Sequence, residues 1–144
     1  MTTTPHPPQA GDKLPSLVLP PVTRTTLALF AGASGDHNPM HIDLDVARAS
    51  GMPDVFAQGM LPMAWLARLL TDWRPQSSLR SFGVRFVAMT QLQEAITCSG
   101  EVTEIFEAQG QLCARLTLTA ANQAGETRLS GEAVVAICTG ATTS

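Results

Sequence analysis

The chain has 144 residues, 44% hydrophobic and only 15% charged, which is enough for one packed domain and too apolar for a disordered chain. Its net charge is −3, and its eight arginines and one lysine form no basic block, so the concentrated positive field that nucleic-acid binding needs is missing. The best apolar run, Met60 to Leu70, is broken by Pro62 and Arg68 and falls short of the roughly 20 residues of a membrane span.

Six of the ten prolines lie in the first 21 residues. Residues 1–11 are predicted to be a loose, proline-rich tail, and residues 12–144 one domain. His6, in that tail, is given no role. The N-terminus has neither the basic start nor the apolar stretch of a secretory signal, which predicts a cytoplasmic protein with no membrane partner. Leu14 to Leu19 reads as a short edge strand, where proline is tolerated.

Thr23 to Ala33 is predicted to be helical. Leu27, Phe30 and Ala31 share a face, Thr23 can cap the start, and Gly35 ends it. Residues 34–43, SGDHNPMHID, cannot be regular, because Pro39 pushes Asn38 away from helix. A short helix from Leu44 to Ser50 follows. Met60 to Trp73 is the strongest helical pattern, with Leu61, Trp65, Leu66, Leu69, Leu70 and Trp73 apolar. That stripe is wide enough to predict burial on several sides, and Pro62 falls in the first turn, where its missing N–H does no harm.

Beyond residue 78 the period changes to two. Leu79 to Met89, Glu94 to Glu107, Gly110 to Ala121 and Glu126 to Cys138 read as strands, with a hairpin turn at Asn122–Gly125. This order predicts an α+β fold, an antiparallel sheet wrapped around one long apolar helix. Cys98, Cys113 and Cys138 are odd in number and set among apolar residues, so they read as reduced, inert core positions.

The polar residues that matter for chemistry gather in one loop: Ser34, Asp36, His37, Asn38, His41 and Asp43. A carboxylate and imidazoles beside a buried helix can do acid–base work. They can equally form a turn whose Asp and Asn bond their own backbone. Gly59 stands just before the long helix, where backbone N–H groups lack internal partners and carry the positive end of the helix dipole. Such donors can polarise a thioester carbonyl and stabilise an enolate oxygen. No metal is expected: Pro39 interrupts His37 and His41, and no third histidine lies nearby. Ser34 and Ser50 lack a nucleophile elbow, and there is no glycine-rich phosphate loop.

The stretch FAGASGDHNPMHIDLDVARASGMPDVFAQGML, residues 30–61, resembles the signature of the MaoC-like dehydratases, which include the (R)-specific enoyl-CoA hydratases. The resemblance extends over nearly the whole chain after the tail and implies the hot-dog fold. By that resemblance Asp36 and His41 fall on the catalytic aspartate and histidine, which hold a water between them. Gly59 falls on the glycine whose N–H binds the thioester carbonyl, and Asn38 on an asparagine read as a loop organiser. His37 falls on a variable position.

The implied activity is reversible hydration of 2-enoyl thioesters to (R)-3-hydroxyacyl thioesters, carried by CoA or acyl carrier protein, with no cofactor. Asp36 is the preferred base, with His41 orienting the water. The fold and the sparse surface charge predict a homodimer. Three departures stand out. Gln58 replaces the family's histidine before Gly59 and is read as site support. Ala67 stands where some members carry serine. Met89–Thr90 and Gln93–Glu94 replace Pro-Val and Gly-Asp. Arg85 is a candidate contact for the carrier's phosphates. Met52, Met60, Met63, Trp65 and Phe86 are either pocket or core. A non-catalytic or acyl-binding subunit of a hetero-oligomer is the alternative function. A thioesterase is less well supported, since the long helix offers only Asp72 as a carboxylate.

Overall fold

In a computed structural model of the chain, residues 6–137 are described. Strand β1 is Leu17–Val18, and helix α1 is Arg24–Ser34. The Thr23 hydroxyl accepts from Thr26 N–H at 3.2 Å and caps α1. Gly35 closes the helix with φ of 76°, in the left-handed region that favours glycine. After a 3₁₀ turn at Pro39–His41 comes helix α2, Leu44–Ala49, whose start is capped by the Asp43 carboxylate. Helix α3 is Met60–Trp73, followed by β2 (Leu79–Phe86), β3 (Thr97–Ala108), β4 (Gln111–Ala121) and β5 (Thr127–Ala136).

The five strands form one sheet in the order β1-β3-β4-β5-β2, every neighbouring pair antiparallel. The α3 side faces the sheet, and Leu66, Leu69 and Leu70 pack with Val102, Leu116, Leu118 and Val135 in the main core. This is the hot-dog arrangement that the patterning and the resemblance predicted. A second apolar cluster joins Val22, Leu27, Ala47, Val55, Ala57 and Leu61. It seats α1, α2 and the segment before α3 over the start of that helix, and so sets where the 34–43 loop lies.

Three features differ from the sequence expectations. Helix α3 is buried on one broad face only: Ala64, Arg68, Thr71 and Asp72 are exposed, because five strands cover a single side. The strand predicted to reach Met89 stops at Phe86, where Val87 and Ala88 N–H both turn onto Arg128 O, at 2.8 and 3.2 Å. The strand predicted from Glu94 begins at Thr97, because Gln91–Glu94 forms a turn with Gln93 at φ of 66°. Near the N-terminus the chain is tied down from Gln9. Its N–H donates to Asp12, and Gly11 N–H donates to Val102 O at 2.7 Å.

Cys98 and Cys113 are buried and free, and burial pushes the Cys98 thiol up to about 12. Both behave as small apolar residues. Cys138 lies outside the described residues. Among the described residues no helix is long and apolar enough to cross a membrane.

Candidate active site

The 34–43 loop satisfies its own backbone and still leaves acceptors free. Asp36 N–H donates to Ser34 Oγ at 3.1 Å, Asn38 N–H to Asp36 Oδ1 at 3.3 Å, and Met40 N–H to Asn38 Oδ1 at 3.1 Å. These are the turn bonds expected of Asp and Asn, and they pin Asp36 through one oxygen only. The other, Oδ2, stands 3.9 Å from His41 Nε2. Turn and acid–base site are therefore compatible uses of the same residues. His37 is exposed and contributes only its N–H, to Gly35 O.

His41 is only 8% exposed. Its Nδ1 lies 2.8 Å from Phe56 O, and its ring meets the Phe56 ring edge-on at 5.0 Å. A carbonyl oxygen can only accept, so Nδ1 carries the proton. In the neutral ring Nε2 is then a bare lone pair, facing the Asp36 carboxylate. Two acceptors 3.9 Å apart make no bond with each other. The separation suits one water donating a hydrogen to each, whose acceptors would stand about 4.4 Å apart for two ideal bonds.

Gly59 caps α3 with φ of −58° and ψ of −33°, ordinary helical values that any residue adopts. Its smallness lets Phe86 approach: a Cβ there would stand 3.1 Å from Phe86 Cε1, and that ring would have to shift by a few tenths of an ångström. Among the described residues the Gly59 N–H has no hydrogen-bond acceptor, and it sits at the positive end of a 14-residue helix. His41 and Gly59 open onto one cleft of about 300 Å³, walled by Phe56, Pro62, Phe86 and Leu129 and by the Val87–Thr90 segment. Its lining is mostly apolar, which suits an acyl chain.

Gln58 is completely buried, and its Nε2 donates to Leu27 O at 3.1 Å. It thereby ties α1 to the residue before Gly59, while its Oε1 has no partner. Arg85 is not brought to the cleft. Neighbours on a strand face opposite sides; Phe86 lines the cleft, and Arg85 is exposed in a shallow groove with Ser81, Thr117 and Glu132. Met52, Met63 and Trp65 pack into the two cores, whereas Met60 is exposed. Of these candidates Phe86 lines the cleft. Ala67 is half-buried on α3 and does not line it, and Asp72 is exposed beside Arg68 at 3.8 Å. Among the described residues no three His, Cys, Asp or Glu side chains converge as a metal site requires.

Sequence reasoning missed the Phe56 carbonyl, which carries no side-chain signal, and the buried pair Glu94–Arg128 behind the cleft wall. Burial pushes the Glu94 carboxyl up. Hydrogen bonds from Arg128, Asn122 and the Gln91 N–H outweigh it, and the group sits below the ordinary 4.5.

Known proteins are similar over much of this length. The (R)-specific enoyl-CoA hydratase of Rhodospirillum rubrum is 26% identical over 118 residues, 81% of this chain and 80% of that protein. The beta subunit of the 3-oxo-4,17-pregnadiene-20-carboxyl-CoA hydratase of Mycobacterium tuberculosis is 33% identical over 82 residues, 56% of this chain and 64% of that subunit. Among solved structures, the unliganded R-hydratase PhaJ1 from Pseudomonas aeruginosa superimposes with a TM-score of 0.77 at 27% identity, over 89% of this chain and 81% of that one. The ChsH1-ChsH2 complex from Mycobacterium tuberculosis gives 0.77 at 25% identity, over 96% of this chain and all of the matched one (100%). Residues 9–124 match the family profile described as "MaoC like domain", so that the chain belongs to the MaoC-like domain family.

Proposed function

We propose that this protein catalyses the reversible hydration of 2-enoyl thioesters to (R)-3-hydroxyacyl thioesters. The observation that carries the reading is the pairing of two acceptors, Asp36 Oδ2 and His41 Nε2, 3.9 Å apart; His41 lines the cleft that also holds Gly59, and Asp36 stands behind it, outside the lining. Water bound between the acceptors gives one proton to Asp36 as its oxygen bonds to C3 of the substrate. His41 Nε2 holds the second hydrogen and orients the attack. The C2–C3 π electrons move onto the thioester oxygen, where the Gly59 N–H meets the enolate charge. A donor of this kind is worth about 3 kcal/mol in the transition state. Return of a proton from the dyad to C2 completes addition of water, and the reverse sequence is dehydration. Similarity to the (R)-specific enoyl-CoA hydratase supports the R configuration and a CoA thioester; acyl carrier protein is the other carrier open to this reading.

Asn38 keeps the turn that aims Asp36, and Gln58 seats Gly59. Arg85 keeps a role at the carrier only if a second chain brings a carrier phosphate to its face of β2. A homodimer is supported by the free edge of β2 and by Phe86, Val87 and Met89, each about half exposed beside it (54%, 52% and 48%). A second reading, a subunit of a hetero-oligomeric hydratase, is favoured by similarity to the mycobacterial beta subunit and to the ChsH1-ChsH2 complex.

The test is hydration of crotonyl-CoA, followed by loss of enoyl-thioester absorbance, with Asp36→Asn and His41→Ala alongside. Turnover that collapses in both folded variants supports the dyad. No turnover on short, long or branched enoyl-CoAs overturns the homomeric reading. A co-purifying second chain that restores activity would then establish the hetero-oligomer.

A further inference from the structure

Segment 87–94, between β2 and β3, supplies the cleft with Val87, Ala88, Met89 and Thr90. It has no strand ladder of its own, and Arg128 holds it at both ends. The Arg128 carbonyl accepts from Val87 and Ala88 N–H at the start of the segment. The Arg128 guanidinium donates to Glu94 at its end, from Nε at 3.0 Å and from Nη2. The Glu94 carboxylate also accepts from Gln91 N–H at 3.2 Å and from Asn122 Nδ2 at 3.3 Å. These donors come from the segment itself, the β4–β5 turn and β5. The residue is 8% exposed.

The other side of the segment holds the site. Ala57 N–H donates to Thr90 O at 2.9 Å, and Phe56 bridges to Gln91. Phe56 O is the acceptor that holds His41 Nδ1. A continuous chain of bonded groups thus runs from Arg128 through Glu94 to the Thr90–Gln91 peptide, across the Ala57 N–H to Thr90 O bond to the Phe56–Ala57 peptide, and by Phe56 O to His41. A buried ion pair is weak evidence for stability, since apolar residues of similar volume often serve as well. Its directional bonds to separate segments do what apolar packing cannot: they fix where the Phe56 carbonyl stands.

We infer that Glu94 and Arg128 are positioning residues, which hold segment 87–94 so that the Phe56 carbonyl keeps His41 in its Nδ1-protonated form with Nε2 aimed at Asp36. The kinetic arm of this inference rests on the proposed hydratase reading; the spectroscopic arm does not. Glu94→Gln removes the charge and places an amide donor among donors. The apolar double variant Glu94→Leu/Arg128→Met keeps the volume and removes the directional bonds.

The experiment reads the ¹⁵N signals of the His41 imidazole and the crotonyl-CoA kinetics of wild type, Glu94→Gln and the double variant, with thermal melts alongside. The expected result is loss of the single Nδ1-protonated pattern in both variants. A fall of about tenfold in kcat is expected with it, the scale of a small misplacement of a catalytic group, and little change in KM. The double variant is expected to regain melting temperature without regaining kcat or the imidazole pattern. A double variant that restores all three shows a structural role only and overturns the inference, as does a Glu94→Gln protein with His41 signals and kcat unchanged. If Glu94→Gln does not fold, Arg128→Lys, which keeps the charge and loses the bidentate contact, is read on the same signals. If the wild type does not turn over enoyl-CoAs, the hydratase reading fails while the imidazole signals still decide this one.

Discussion

Gly59→Ala separates the chemical use of the α3 start from its structural use. The backbone there is helical, with φ of −58°, so alanine brings no conformational strain. Its methyl would meet Phe86 Cε1 at 3.1 Å and Cδ1 at 3.3 Å. Phe86 is 54% exposed, so its ring can give the few tenths of an ångström required. Stability should therefore fall by about 1 kcal/mol or less, the ordinary cost of alanine at an N-cap.

Catalysis has less room. The methyl and the displaced ring would crowd the Gly59 N–H, the donor proposed for the thioester oxygen. Complete loss of such a donor costs about 3 kcal/mol, or about a hundredfold in rate. A drop of about 10- to 100-fold in kcat/KM for crotonyl-CoA is expected, with a melting temperature within a few degrees of wild type. Gly32→Ala is the control. Nothing lies within 4 Å of its added Cβ, so it should stabilise α1 by about 0.5–1 kcal/mol and leave the rate alone. A Gly59→Ala protein with unchanged kcat/KM would remove Gly59 from the oxyanion role.

Gln93 occupies a left-handed backbone position, φ of 66°, so Gln93→Gly should raise stability by about 1 kcal/mol in urea denaturation. Gln58→Leu removes the only bond to Leu27 O from that side chain and should cost about 1–3 kcal/mol, partly offset because the unpartnered Oε1 goes too; Gln58→His, which keeps a donor, should cost less. Because Glu94 sits below 4.5 in the folded chain, the unfolded state binds more protons between the folded value and 4.5. Its contribution is therefore complete above about pH 5 and is lost as pH falls through the folded value. Urea midpoints from pH 7 to pH 3 should show wild type and Glu94→Gln converging on acidification, and a constant gap would contradict the assignment.

Much of the fold was legible because its signals are local. The apolar stripe of Leu61, Leu66, Leu69 and Leu70, with Pro62 in the first turn, marks α3 without knowledge of its partners. Thr23 and Gly35 mark the ends of α1 by capping chemistry that depends on the neighbouring residues alone. Alternation in β3 to β5 arises from the two-residue period of an extended chain. The Asp36–His41 motif was legible for the same reason, since one short loop carries both residues.

Tertiary structure decided what depends on distant segments meeting. Gly59 joins His41 at one cleft because the second core packs α1 and α2 over the start of α3. The tautomer of His41 is set by a backbone oxygen, Phe56 O, 15 residues away, and a backbone atom leaves no mark in composition or period. Glu94 and Arg128, 34 residues apart, carry no local signal of their pairing, which arises only where the β2–β3 connection folds inward against β5. The face that Arg85 takes depended on the pairing register of β2 with β5, because a shift of one residue would exchange it with Phe86. Local pattern specifies the elements through interactions within a few residues; the site needs the sum of many weak long-range contacts, which no single stretch of sequence contains.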